Sequence, residues 1–191
     1  MKIEHVLNQA VIGEKEVDFY VPIKVEFKDN DDKDKELFYY RMLNSKSSFV
    51  EMSINSVTKK IVNITLVSVN DVKEMMNEVE HLNISKETGN PVIDMECFSA
   101  EHIVTDNVNF AIIKDTKKIY VLQDSIEVCR RLIMDSVELL LDSHDNIVGF
   151  IFSNFSNEEW QELTESINSS VDIALQEEKI KDENSGSGDK S

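Results

Sequence analysis

The chain has 191 residues and a formal charge of −17, from 37 acidic against 20 basic side chains. That charge disfavours nonspecific binding to DNA, RNA or an anionic membrane, because phosphates are repelled rather than neutralised; its natural complement is a positive partner. Acids from Glu4 onward do not suit a signal peptide, and no apolar run approaches the ~20 residues of a membrane span, so a cytoplasmic protein is expected.

At the N-terminus Ile3, Val6, Leu7 and Ala10 fit a short helical stripe, while Val17, Phe19 and Val21 alternate as in a strand. Val21, Ile23, Val25 and Phe27 alternate with Lys24, Glu26 and Lys28, which predicts a half-buried strand with Pro22 near its start or on an edge. Asp29 to Glu36 is a run of charge that must be solvated. It has the aspartates of a calcium loop but lacks the central Gly and the final Glu of an EF-hand. Leu37 to Leu43 is a second strand, whose Phe38, Tyr39 and Tyr40 suit packing better than base stacking, since no basic patch flanks them.

A hairpin follows from about Phe49 to Val67. Asn70 or Asp71 is placed to cap a helix carrying Val72, Met75, Met76, Val79 and Leu82 on one face. Thr88-Gly89-Asn90-Pro91 marks a turn, and Val92 to Met95 a short strand. Val108, Phe110 and Ile112 alternate, Lys114 to Lys118 turns, and Ile119 to Leu122 is a strand. Asp124 to Ile133 fits a capped helix or a strand; analogy with Leu37 to Leu43 favours the strand. A second hairpin spans Ser136 to Ser153. Ser156 and Glu159 then have capping-box spacing, ahead of a helix with Trp160, Leu163, Ile167 and Val171 on one face.

The two hairpins share a pattern. Val50-Glu51-Met52-Ser53-Ile54-Asn55-Ser56 leads through a polar turn to Ile61-Val62, and Val137-Glu138-Leu139-Leu140-Leu141-Asp142-Ser143 leads through one to Ile147-Val148. The expectation is an α+β protein of two pseudo-symmetric antiparallel β-meander units, each followed by an amphipathic helix packed on a sheet. The first unit spans 1–82, a connector 83–107, the second unit 108–181, and a disordered polar tail 182–191. Whether the units form one sheet or two, and the oligomeric state, are left open.

Catalytic signatures are scarce. With five glycines, the sequence has neither a phosphate loop nor a dinucleotide fingerprint, and it has no nucleophile elbow or zinc-protease helix. The best catalytic grouping is Glu96, Cys97, Glu101 and His102, as a thiol–histidine pair or zinc ligands. Cys97 and His102 are five apart and no second ligand pair exists, so a buried thiol beside an exposed histidine is the expected reading. Cys129, next to Arg130-Arg131, is expected to face the core, His144 to be a turn residue, and Trp160 to pack inward. The two cysteines suit reduced thiols, a disulfide being the alternative. No enzyme activity, cofactor or metal is expected.

Small, acidic and strand-rich, with turns such as Leu141-Asp142-Ser143-His144-Asp145-Asn146-Ile147-Val148, the chain resembles the immunity proteins of bacterial polymorphic-toxin and contact-dependent inhibition systems. The resemblance implies stoichiometric neutralisation of a basic, nuclease-type toxin domain, whose cleft an acidic inhibitor plugs. Its contacts would come from Asp29, Asp31, Asp32, Asp34 and Glu36, or from Glu158, Glu159 and Glu162. Alternatives are a non-catalytic or phage-associated adaptor, and an enzyme using Cys97 and His102.

Overall fold

The computed structural model describes residues 1–28, 36–74, 84–169 and 171. In chain order its strands are β1 (Ile3–Leu7), β2 (Gly13–Glu16), β3 (Ile23–Phe27), β4 (Leu37–Leu43), β5 (Phe49–Asn55), β6 (Ile61–Ser68), β7 (Lys73–Glu74), β8 (Lys86–Thr88) and β9 (Asn90–Ile93). After a 3-10 turn at Met95–Phe98 come β10 (Ile103–Asn107), β11 (Phe110–Asp115), β12 (Lys118–Gln123), β13 (Arg130–Met134), β14 (Val137–Leu141) and β15 (Ile147–Phe152). The α-helix of the described residues is α1, 157–169. Strand makes up 52% and helix 12% of the described residues, so the protein is mostly β there, and the expected α+β fold of two units with a helix each is overturned.

The helix expected after β6 does not start at Asn70 or Asp71. Asn70 gives its backbone N–H to Ser48 Oγ at 3.0 Å and its side-chain amide to the Ser47 carbonyl at 3.1 Å, which ties the chain to the β4–β5 corner. Lys73 and Glu74 then extend as β7, parallel to β11. Positions 75–82 of the predicted stripe and the predicted tail, 182–191, lie outside the described residues. The N-terminal helical stripe is also overturned: Ile3 to Leu7 pair antiparallel with 90–93. The alternation at 17–21 does not extend into a strand either, because Asp18 Oδ1 accepts the N–H of Tyr20 at 2.8 Å and bends the chain.

Three sheets result: β1-β9, β10-β4-β5-β6-β3-β2, and β7-β11-β12-β15-β14-β13-β8. The two larger ones are wound alike. Strands β3 to β6 stand in the order β4-β5-β6-β3, and β12 to β15 in the order β13-β14-β15-β12, with every pairing antiparallel. The first strand of each set thus returns beside the last, a Greek-key order where a meander was expected. An antiparallel strand flanks each set on one side, β2 on β3 and β11 on β12. A parallel strand flanks it on the other, β10 on β4 and β8 on β13. The sheets are therefore mixed, and the stretch between the hairpins contributes to both.

The shared hairpin pattern has a structural cause at each position. Val50, Met52 and Ile54 face Leu66, Ile64 and Ile61; Val137, Leu139 and Leu141 face Phe152, Phe150 and Ile147; all are buried. Both ladders slip one residue before the turn, at Ser53/Ile54 and at Leu140/Leu141. Asn55 Oδ1 accepts from the Val57 and Thr58 amides at 2.9 and 2.8 Å, and Asp142 Oδ1 from the His144 and Asn146 amides at 2.8 and 2.9 Å. The Asn/Asp of the pattern is thus a turn-forming acceptor. Its Glu pairs with an Arg on the neighbouring strand: Glu51 with Arg41 at 2.8 Å, Glu138 with Arg131 at 2.6 Å.

One buried cluster draws on both large sheets. Ile23, Val25, Met52, Ile64 and Leu66 of the first share it with Val121, Leu139, Phe150 and Phe152 of the second, and α1 adds Leu163 and Ile167. The second sheet also buries its other face, through Ile113, Tyr120, Leu140, Val148 and Ile151. This is why β15 reads as an unbroken apolar run and β14 as one broken only by the Arg131-paired Glu138: a strand covered on both faces has no solvent side to alternate with. Gly149 lies where β15 passes closest to β12; a Cβ there would sit 2.2 Å from the Val121 carbonyl oxygen. Gly149→Ala is therefore expected to cost about 1–3 kcal/mol in urea unfolding. Asn63→Ala, at the equivalent place on β6, should change stability by less than about 0.5 kcal/mol.

Candidate functional site

Helix α1 is fixed to the frame at its start. Ser156 Oγ accepts the Glu159 N–H at 3.1 Å and Glu159 Oε2 accepts the Ser156 N–H at 2.7 Å, the reciprocal capping box that the spacing predicts. From the first sheet, β2 sends Lys15 across to the same place. Lys15 Nζ donates to the carbonyls of Ser153 and Asn154 at 3.2 and 2.6 Å, pairs with Glu159 at 3.3 Å and sits 4.1 Å over the Phe155 ring. Its side chain is only 7% exposed, and burial pulls its pKa below the ordinary lysine value despite Glu159 and Asp135. Trp160 is half-buried against Phe155, ring centroids 5.6 Å apart, and Leu163 and Ile167 reach the core.

The opposite face of α1 is acidic. Glu158, Glu162 and Glu165 are exposed at i, i+4 and i+7, and none has an ion-pair partner among the described residues. Like charges at this spacing cost an isolated helix a few tenths of a kcal/mol, so the stripe exists at the expense of helix stability. The Glu158 carboxyl is held below its usual range, first by its own backbone N–H and then by Ser156 at the helix start. Several strand acids are, by contrast, paired: Glu14 with Lys28, Glu26 with Lys24, Glu4 with Lys59, and Glu87 and Asp145 with Arg130.

Among the predicted contact residues, Glu158 and Glu162 stand on this face, whereas Glu159 is taken up by the cap and Lys15. Asp29, Asp31, Asp32 and Asp34 lie outside the described residues. Glu36 is exposed and pairs with His102 Nδ1 at 3.1 Å. Sequence reasoning did not single out Glu165, Glu16 or Asp18, all exposed. Glu165 was legible as one more turn of the same helix; the other two become relevant only through the loop's docking onto α1.

The catalytic grouping is not assembled. The His102 ring lies against Phe38 at 4.7 Å, and its charged partner is Glu36. The charged groups around Cys97 are the Met1 amine, Asp106 and Asp94, and burial pushes its thiol up in pKa. The nearby Tyr40 hydroxyl, which donates to Asp106, is pushed far up by burial first and by Asp106 second. Both cysteines are free and exposed, so neither is the buried thiol expected, and Cys129 does not face the core. His144 is a turn residue, its N–H held by Asp142 at 2.8 Å. No group of three or more His, Cys, Asp and Glu among the described residues is placed to hold a metal ion.

A cleft of about 700 Å³ among the described residues lies beside β11 and the 122–128 turn, with Lys73, Asp124 and Glu127 in an otherwise mainly aliphatic and amide lining. It brings together no nucleophile and base of the kinds the sequence suggested. No helix of the described residues is long and apolar enough to cross a membrane. No known protein-family model matches the chain, and no curated protein matches it.

The raised Cys97 pKa gives a direct check. In a Cys129→Ser background, Cys97 should react with iodoacetamide at pH 8 more slowly than free glutathione, because less of it is thiolate. Its rate should keep climbing with pH beyond the range where glutathione levels off. A rate at or above that of glutathione would instead mark an activated thiol.

Proposed function

We propose that the protein is a stoichiometric binder of a basic protein, in the manner of the bacterial immunity proteins it resembles, acting in the cytoplasm by occupying a positively charged cleft of a toxin domain. The observation that carries this reading is the exposed stripe Glu158, Glu162 and Glu165, without an ion pair among the described residues and held on a helix capped at Ser156 and pinned by Lys15. A rigid row of carboxylates loses little freedom when a cationic surface meets it, and the net charge of −17 draws that surface in from a distance. The residues offered for catalysis have other partners: His102 has Glu36 and Phe38, and the Cys97 thiol is raised.

The partner, recovered from the native host and purified, supplies the test. It should bind one to one without being consumed or modified, and stopped-flow on-rates should fall steeply as salt shortens the Debye length below ~10 Å. Glu158→Gln/Glu162→Gln/Glu165→Gln together should slow association roughly tenfold at low salt while leaving the circular dichroism unchanged. Cys97→Ala/His102→Ala should leave protection of cells intact. Turnover of a substrate, or protection lost only in the Cys97/His102 pair, would replace binding with catalysis.

A further inference from the structure

The loop between β2 and β3 turns an aromatic pair outward. Tyr20 is 84% exposed and Phe19 49%, and their rings meet edge to face at 5.4 Å. The loop that carries them is pinned. Asp18 Oδ1 accepts the N–H groups of Tyr20 and Val21 at 2.8 and 3.4 Å, Pro22 behind them is buried, and Ser166 Oγ of α1 donates to the Phe19 carbonyl at 2.8 Å. Two water-facing rings on a hydrogen-bonded turn are the kind of rigid anchor that binding surfaces are built on.

The bond from Ser166 also locates the pair against the acidic helix face. Leu163, Ser166 and Ile167 are buried and Glu162 and Glu165 exposed, so Ser166 lies at the border of the packed stripe. At 3.6 residues per turn, Glu162 lies one turn before Ser166 on the same side, with Glu165 farther round toward solvent. From its own segment the loop adds Glu16 and Asp18, both exposed. Of the strand bases beside Glu16, Lys24 opposite it is engaged with Glu26 at 3.1 Å and Lys15 before it with Glu159 at 3.3 Å.

We infer that Phe19 and Tyr20, with the rim of Glu16, Asp18, Glu162 and Glu165, form the docking surface for an arginine-bearing segment of a basic protein. This rests on the binding function proposed above and names the surface that would serve it. Arginine is the side chain that satisfies both parts of the site. Its guanidinium stacks on a ring face, pairs with carboxylates in a planar fork, and gives up water more readily than an ammonium. A second copy of this chain is the wrong complement, since each copy carries −17, and nucleic acid is repelled by the same charge.

The test uses the full-length protein, isotope-labelled for amide NMR, and two short peptides at low salt, one alternating arginine with glycine and one alternating lysine with glycine. Shift changes should concentrate on residues 16–21 and 158–166, and the arginine peptide should bind at least about threefold more tightly than the lysine peptide. Tyr20→Ala, at a side chain that packs on almost nothing, should remove that preference; Glu162→Gln/Glu165→Gln should weaken both peptides. Shifts spread over other acidic faces, with Tyr20→Ala silent, would overturn the surface but leave a basic partner standing. No binding on any face would overturn both. A peptide-free dimer whose shifts fall on Tyr20 would give the surface to a second copy instead.

Discussion

The contact on which the structure depends is the burial of two similarly wound sheets against one another. The main core belongs to neither sheet alone: Met52, Ile64 and Leu66 from one and Leu139, Phe150 and Phe152 from the other belong to the same buried cluster. Burial of each such side chain contributes about 1.5–3 kcal/mol. The matching registers of the two hairpins, slipped at the same position, present equivalent triplets of apolar side chains to that cluster. The turns, the Glu–Arg pairs and the edge strands follow from keeping those triplets in register, because a one-residue shift would turn each of them outward.

The acidic surface is built on that frame through one buried cation. Lys15 leaves the first sheet and ends among two carbonyls, a carboxylate and a ring at the start of α1. Burial works against its charge, as the lowered pKa records, and those four partners offset the loss of water. The helix is therefore anchored at its N-terminal end by electrostatics and along its inner face by Leu163 and Ile167. Its outer carboxylates form no ion pair among the described residues; Glu165 accepts only from Gln161 on the same helix, at 3.0 Å. A protein with 37 acids must tolerate self-repulsion, and here part of it falls on the helix face that adjoins the Phe19–Tyr20 loop, eased at Glu158 by Lys117.

What the sequence made legible was local. The repeated Val-Glu…Asn/Asp-Ser pattern was readable because its residues act within one hairpin or on the strand next to it in sequence, and the Ser156–Glu159 cap because it closes over three residues. Nonlocal pairing was not readable. Nothing near β3 announces that it pairs with β6 rather than β4, and β1 passes for a helix because its partner β9 lies more than eighty residues away. The helix start expected at Asn70 was displaced by Ser47 and Ser48, whose claim on Asn70 depends on the folded corner. At Cys97 and His102 the histidine is exposed as expected and turned to Phe38 and Glu36, while the thiol expected to be buried is exposed. Glu158 and Glu162 were visible as helix acids, but the role of Glu159 depends on Lys15, from a distant strand.

The claim that both sheets share one core, and so hold the acidic helix face rigidly, is tested most directly by equilibrium urea unfolding with two probes. Trp160 fluorescence reports the junction of α1 with the core, and far-ultraviolet circular dichroism reports the strands of both sheets. One core predicts a single transition with the same midpoint by both probes, as for a cooperative two-state domain. Two separated transitions, with Trp160 lost while half the strand signal persists, would contradict it.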